Sequence, residues 1–444
     1  MLNNFKNTLK NNILIRYLFL AKYLFSKYFY TIHKVNIKNN FFKFSFCFNR
    51  FNNNYIDFDI KNNTAIIEDL NKNNKSDDIV SKHKKKNKDA TDNKESNKNV
   101  QRLFKYDNLK GLAIIFVVFV HLSFPFFGFS IYKDIGTLLA PIAMGIFVFV
   151  SGYFSKVDEN TQIKAFKNIF IPYILFSTFW IIFIVLAFGN NLPKNPYLVP
   201  VRGLWYLLVL FWLRFSLPVL VKIKHIFWIS LFGALAIGLI NVPNNFLALT
   251  RTFCYLPLFL IGFYFKHHNE YLNSLNYRIK NLILKMRNFL INHKKLIFGI
   301  LIIVLLSLFF IFSNFSFSMG FFGFKKSYVA LGLSRKIGIL MRLFGIVSTI
   351  FVIILINYLM PNKQSFLTKL GRSSLYIYVF HFYFTESMKK ILKSDLGSPL
   401  FNDPILTAVY LITATALITF ILSRDPIEKY IGKLLNLLTR VFVK

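Results

Sequence analysis

The 444-residue chain is poor in acidic side chains and in cysteine: 19 Asp and Glu stand against 55 Lys and Arg, and two cysteines occur, Cys47 and Cys254. Two thiols in such different contexts support neither a disulfide framework nor a metal cluster. Several signatures are missing as well. There is no glycine-rich phosphate loop, no metal-ligand spacing and no G-x-S-x-G nucleophile turn, so ATP hydrolysis and serine-hydrolase chemistry find no support. What the chain has in excess is apolar surface. Hydrophobic residues make up 55% and aromatics 18%, with a mean hydropathy of +0.46, more than a soluble domain can bury. The net charge of +36 invites nucleic acid as a partner. The basic residues, however, lie between apolar runs and in a polar N-terminal region without a nucleic-acid-binding motif. Charge here reports topology and anionic membrane lipid, and no nucleic-acid partner is expected.

Residues 34–105 are rich in Asn, Lys, Asp and Ser, in runs such as KHKKKNKDATDNKESNKN, and read as a disordered basic and polar cytoplasmic tail. Before them, apolar residues 13–32 are interrupted by Arg16, Lys22 and Lys27, so residues 1–33 fit an interfacial helix better than a span. From residue 106 to 422 the expected unit is a ten-helix membrane domain, with spans near 109–129, 135–155, 169–189, 203–221, 226–242, 251–266, 296–314, 337–359, 373–389 and 403–422. The fifth and sixth are short. If the N-terminal tail is inside, the later inner segments hold about 19 Lys and Arg against about 10 in the outer loops, the asymmetry the positive-inside rule requires. The fold class is therefore all-α integral membrane, about ten transmembrane helices with both ends cytoplasmic, in a multi-pass protein of the cell membrane. Residues 423–444 gather Lys429, Lys433, Arg440 and Lys444 opposite Ile431, Leu434, Leu438 and Val441, a cationic amphipathic helix lying on the inner leaflet.

The first span raises the chemical question. In YDNLKGLAIIFVVFVH (106–121) ten uncharged residues separate Lys110 from His121. At 1.5 Å per residue the histidine sits roughly 16 Å deeper, about half-way through the hydrocarbon. Burial disfavours a charged imidazole, so the ring is expected neutral near pH 7 and able to take a proton from an attacking hydroxyl. A structural histidine bonded to a neighbouring helix is the alternative. His381, about 12 Å inside the ninth span, reads as a packing or substrate-contact residue more than a second base. Arg214, Arg342 and Glu386 also fall within spans and are expected to face a polar cavity or each other rather than lipid. Lys156, Lys164 and Lys167 precede the third span. Inside anchoring accounts for them, and recognition of a phosphorylated donor is the other reading. Trp205 and Tyr206 are either sugar platforms at the outer end or part of the interfacial aromatic belt.

Six segments taken together resemble acyltransferase family 3, the integral-membrane O-acyltransferases, and within it the fucose 4-O-acetylase-like branch. They are residues 106–121, FVFVSGYF (147–154), IPYILF (171–176), RGLWYLLVLFW (202–212), RTFCYLPLFLIGFYFK (251–266) and LGRSSLYIYVFHF (370–382). The resemblance implies transfer of an acyl group, usually acetyl from cytosolic acetyl-CoA, to a hydroxyl of a cell-surface or lipid-linked sugar. No bound cofactor or metal is implied; acyl-CoA is a substrate. It also implies that the family's basic-x10-His motif falls on Lys110 and His121, with His121 the catalytic group and Lys110 standing where arginine is common. Lys164 and Lys167 keep the spacing of the family's paired arginines and are carried as donor-binding candidates. Asp107, Trp205, Tyr206, Arg214, Arg251, Arg342 and His381 complete the candidate cavity or acceptor contacts. No appended esterase-like domain is expected, so transfer is to be completed within the bundle.

A glycan exporter or transporter is the competing expectation, and it has no use for Lys110 and His121 at this separation. The tail provides a test independent of chemistry. Protease added from the cytoplasmic side should digest residues 34–105 without loss of activity, and protection of that stretch would contradict its disorder.

Overall fold

The computed structural model describes residues 103–193, 195–241, 243–267, 277–314, 320, 323–392, 398–426 and 429–433. The expected interfacial helix of residues 1–33, the tail up to residue 102, and residues 434–444 of the expected surface helix lie outside the described residues.

Every described element is helical. The first helix, α1, runs Phe104–Ser123 and ends in a tight 3-10 turn at Phe124–Phe126. It begins two residues inside the stretch assigned to the tail, because its first polar turn finds partners within the bundle. The helices α2 (Ser130–Phe154), α3 (Thr161–Phe188), α4 (Trp205–Leu220), α5 (Ile226–Ala236) and α6 (Leu249–Lys266) follow. Next come α7 (Tyr277–Asn292), α8 (Lys294–Asn314) and α9 (Arg335–Leu359). The chain ends with α10 (Phe366–Arg372), α11 (Ser374–Leu392), the short α12 (Ser398–Asn402) and α13 (Pro404–Leu422). Helices occupy all ten positions expected for spans. Among the described residues eight stretches are long and apolar enough to cross a bilayer, and the protein is an all-α integral membrane protein. The two that fall short do so for different reasons. The fifth span is only Ile226–Leu239, whereas α11 carries Glu386, Lys389 and Lys390 in its last turns.

Between apolar helices in lipid there is no water to expel, so close association depends on small residues and internal hydrogen bonds. Two reciprocal glycine contacts meet that requirement. A Cβ on Gly111 of α1 would collide with the carbonyl of Leu367 in α10, and one on Gly371 of α10 with the carbonyl of Asp107 in α1. Gly152 of α2 and Gly262 of α6 approach the Phe259 and Phe149 carbonyls of each other's helix in the same way. Backbone thus meets backbone at both crossings, fixing α1 against α10 and α2 against α6.

The α1–α10 crossing is locked by Asn108. Fully buried, its Nδ2 donates to the carbonyls of Pro361 at 3.1 Å and Lys363 at 2.9 Å. Its Oδ1 accepts from the hydroxyls of Ser365 at 2.9 Å and Thr368 at 2.6 Å. An amide has two donors and two acceptor sites, and all four are used. The same Ser365 and Thr368 form a capping box at the start of α10. Asp107, one residue earlier, reaches Lys110 at 2.9 Å and Arg372 at 4.0 Å.

Truncating a fully satisfied buried amide leaves several polar groups unpaired. Asn108→Ala is expected to lower stability by about 2–3 kcal/mol, read by reversible unfolding of the solubilised protein in a denaturing detergent. A loss below about 0.5 kcal/mol would mean that the network does not hold the crossing.

Candidate active site

Eleven residues are close to three full helical turns, so Lys110 and His121 lie on nearly the same face of α1, about three turns apart. That face meets two cavities. One, of about 320 Å³, is lined by Lys110 together with Ser151, Tyr206, Arg214, Ser374 and Tyr378 among others. The second, of about 300 Å³, is lined by His121 with Met144, Trp205, Arg251, Tyr255 and Tyr378 among others. Tyr378 forms a wall of both, and its hydroxyl donates to the Gly203 carbonyl. Beside the second cavity Pro141 interrupts the hydrogen-bond ladder of α2, next to Ala140 and Ala143 of the lining.

His121 is half-buried. Phe124 meets its ring edge-on at 4.9 Å and Phe382 at 4.7 Å, and His381 lies 5.2 Å away between ring centroids, tilted by 39°. His381 is fully enclosed, and its Nδ1 sits 3.0 Å from the Ile377 carbonyl. A carbonyl can only accept, so Nδ1 carries the hydrogen and Nε2 is left as a lone-pair acceptor. That Nε2 is buried without a hydrogen-bond partner. An acceptor so placed beside His121 is costly in an apolar core unless it serves the neighbouring ring or a molecule bound there. The two histidines expected to act separately are therefore brought together.

Arg214 is half-buried, lines the Lys110 cavity and donates from Nε to the Ser151 hydroxyl at 3.3 Å. Arg251 packs its guanidinium 4.0 Å over the Trp205 ring and donates to the Gly323 carbonyl at 2.8 Å. Glu386 is paired with Arg202 at 2.8 Å and Lys389 at 3.3 Å, as the cost of isolated charge in a bilayer requires. Arg202 adopts a positive φ of 47°, a rare conformation for a residue with a side chain, at the turn that delivers Trp205 to the cavity. Consecutive helical residues diverge by about 100°, and Trp205 and Tyr206 accordingly face different cavities. The common role expected for the pair divides between them.

Other candidates stand elsewhere. Arg342 lines neither cavity: wholly buried, it donates to the carbonyls of Ala234 at 3.4 Å and Lys326 at 3.1 Å and stacks 4.5 Å over Tyr328. It ties the loop around Lys326 to the end of α5. Lys164 is exposed and paired with Asp158 at 2.7 Å, and that hydrogen bond holds the Asp158 carboxyl below its usual range. Lys167 lies in a π-type turn, Phe166–Phe170, just before the apolar part of α3. Neither lysine lines the two cavities. Residues not anticipated include Asn108, Tyr378, Ser151 and Lys325. Tyr378 could have been singled out one turn before His381 on the same helix. Lys325 lines the His121 cavity from a loop, and partial burial, then the nearby cations Arg251 and Lys326, hold its ammonium below the ordinary lysine value.

A multi-pass membrane protein with a histidine on the wall of a cavity inside the bundle, beside a second cavity that shares Tyr378 with it, is the class this geometry defines. The family model described as an acyltransferase domain matches residues 103–424, and the chain belongs to that acyltransferase family. No curated protein and no solved structure gives a match.

Access to His121 is open to direct measurement. In a background with Cys47 and Cys254 replaced, His121→Cys should react with a small water-soluble anionic thiol reagent, while Val118→Cys, at a position with no exposure, should not. An unreactive cysteine at 121 in folded protein would contradict an aqueous cavity there.

Proposed function

We propose that this protein is an O-acyltransferase of the cell membrane that moves acetyl from acetyl-CoA to a hydroxyl of a cell-surface or lipid-linked sugar, in the manner of the fucose 4-O-acetylase-like branch. The observation that carries the reading is the position of His121, on one wall of a cavity that shares Tyr378 with a second, cation-lined cavity. Membership of an acyltransferase family supports the reaction class. In this reading the Lys110 end is cytoplasmic, in keeping with the excess of basic residues in the segments assigned to that side. The Lys110 cavity is at the small end of ligand-pocket sizes and suits the narrow acyl-bearing arm of the donor. Lys110 and Arg214 supply positive charge to it, Arg214 without a carboxylate partner among the described residues. The acceptor sugar enters through the cavity of Arg251 and Trp205.

The chemistry follows from the His121 ring on the wall of that acceptor cavity. A nitrogen of His121 takes the proton of the sugar hydroxyl as its oxygen attacks the thioester carbonyl. The carbon–sulfur bond then breaks, and the thiolate leaves with the proton returned from His121. His381 is a positioning residue in this scheme: its Nε2 lone pair can accept a hydrogen from His121, directly or through one water, and so fix which nitrogen of His121 is free to act as base.

Purified protein incubated with radiolabelled acetyl-CoA and membrane glycolipid should transfer label. His121→Ala should lower transfer by about 100- to 10,000-fold, the usual contribution of a general base, with an unchanged melting profile. Transfer at the wild-type rate would remove the histidine from the mechanism. His381→Gln should lower kcat and move its pH profile with little change in donor KM, while a shift in stability alone would assign His381 to packing.

A further inference from the structure

Beyond the His121 cavity lies a larger one, of about 650 Å³, whose lining includes Asn195, Asn241, Asn245, Lys325 and Lys326. Lys325 is common to both, so a molecule held in the larger space reaches the wall of the cavity that contains the histidine. Two features mark it as a built site. The first is charge. Arg251, Lys325 and Lys326 contribute three cations to the two linings, no carboxylate appears in either, and neither lysine forms an ion pair with a described residue. The second is an orphaned acceptor. Asn245 is 4% exposed, and its Oδ1 is buried without a hydrogen-bond partner. Its backbone is in the left-handed region, with φ of 61°, a conformation asparagine tolerates better than most residues.

A buried amide oxygen calls for a donor, and a hydroxyl is the donor a saccharide offers. Lys325 and Lys326 are exposed and form no ion pair with a described residue, so they are free to attract an anion. Asn195 and Asn241 add further amide groups able to both donate and accept, although Oδ1 of Asn241 already has the Ser327 hydroxyl at 3.5 Å. Inorganic phosphate would satisfy the lysines and leave the amides without a purpose. A neutral sugar would do the opposite.

We propose that this outer cavity binds an anionic saccharide, one bearing a phosphate or carboxylate group, with Lys325 and Lys326 on the charge and the Asn245 amide on a hydroxyl. The inference rests on the acyltransferase reading for its meaning, since the occupant would be the acceptor. Its binding step is measurable without any transfer.

The test uses the full-length protein in nanodiscs and equilibrium binding of radiolabelled glucose 1-phosphate and glucuronate, with glucose and inorganic phosphate as competitors. At least one charged sugar should bind tenfold or more tightly than both glucose and inorganic phosphate. Lys325→Gln with Lys326→Gln should weaken it by about 10- to 100-fold, the effect of losing charge-assisted hydrogen bonds, and Asn245→Ala by a smaller factor. The corresponding Arg pair should retain binding and serves as the folding control. Where the Gln pair does not fold, the wild-type preference for the charged sugars over glucose decides. Glucose binding as well as the charged sugars, inorganic phosphate binding as well as they do, or folded Gln variants binding unchanged would each overturn the proposal. If no acceptor is ever acylated, the transferase reading fails, and the binding result still decides this one.

Discussion

A polar ring inside a helix bundle in lipid persists only where something satisfies it, because the membrane interior offers no water to do so. The arrangement around His121 follows from that constraint. His121 lines a cavity, its ring lies 5.2 Å from that of His381, and Phe124 and Phe382 pack against it in T-shaped contacts. The remaining ionisable groups obey the same rule by different routes. Glu386 is paired with Arg202 and Lys389, Asp107 with Lys110, and Arg342 donates to two carbonyls and stacks on a tyrosine face. Arg214, Arg251 and Lys325 form no ion pair with a described residue, and they line the cavities that share Tyr378.

The supports of this arrangement are short-range and rigid. Asn108 and the paired glycines Gly111 and Gly371 set α1 against α10, which leads through Ser373 directly into α11. The helix bearing His121 and the helix bearing His381 are thereby joined by one tight crossing, so their rings come within 5.2 Å without a hydrogen bond between them. On the far side, Gly152 and Gly262 bring α2 and α6 together, which sets Met144 of one and Arg251 and Tyr255 of the other across the same cavity. Stability in such a bundle rests on backbone approach and internal polar bonds, the features that also hold a catalytic constellation in place.

The spans were legible because a run of about twenty apolar residues has few other uses, and the shared face of Lys110 and His121 on α1 followed from helical period alone. The edges of the spans were less so. The start of α1 at Phe104 depends on partners about 250 residues away in sequence, and no local signal in YDNLK announces them. Hydropathy placed α11 as a span, yet its charged last turns are explained by Arg202, which arrives from a turn in a strained backbone conformation. Spacing placed His381 at mid-bilayer but could not bring it beside His121, since that requires the crossing of α1 and α10. Trp205 and Tyr206 looked like a pair because they are adjacent in sequence, whereas helical geometry sends them to separate cavities. Lys164 and Lys167 were legible as basic residues before a span, and Lys164 finds its partner in Asp158, six residues earlier. Lys325 lies in a loop and Asn245 in the 3-10 turn Pro243–Ala248 that leads into α6, where neither period nor hydropathy distinguishes a lining residue from a solvated one.

The central claim is that His121 stands at the point where donor and acceptor meet. It is tested most directly by an experimental structure of the protein bound to a thioether analogue of acetyl-CoA, which cannot transfer its acyl group. The account predicts the acyl carbon within about 6 Å of the His121 ring, leaving room for one hydroxyl oxygen between them, with the donor entering past Lys110. An analogue bound with its acyl carbon remote from that ring, or a ring turned outward to lipid, would contradict it.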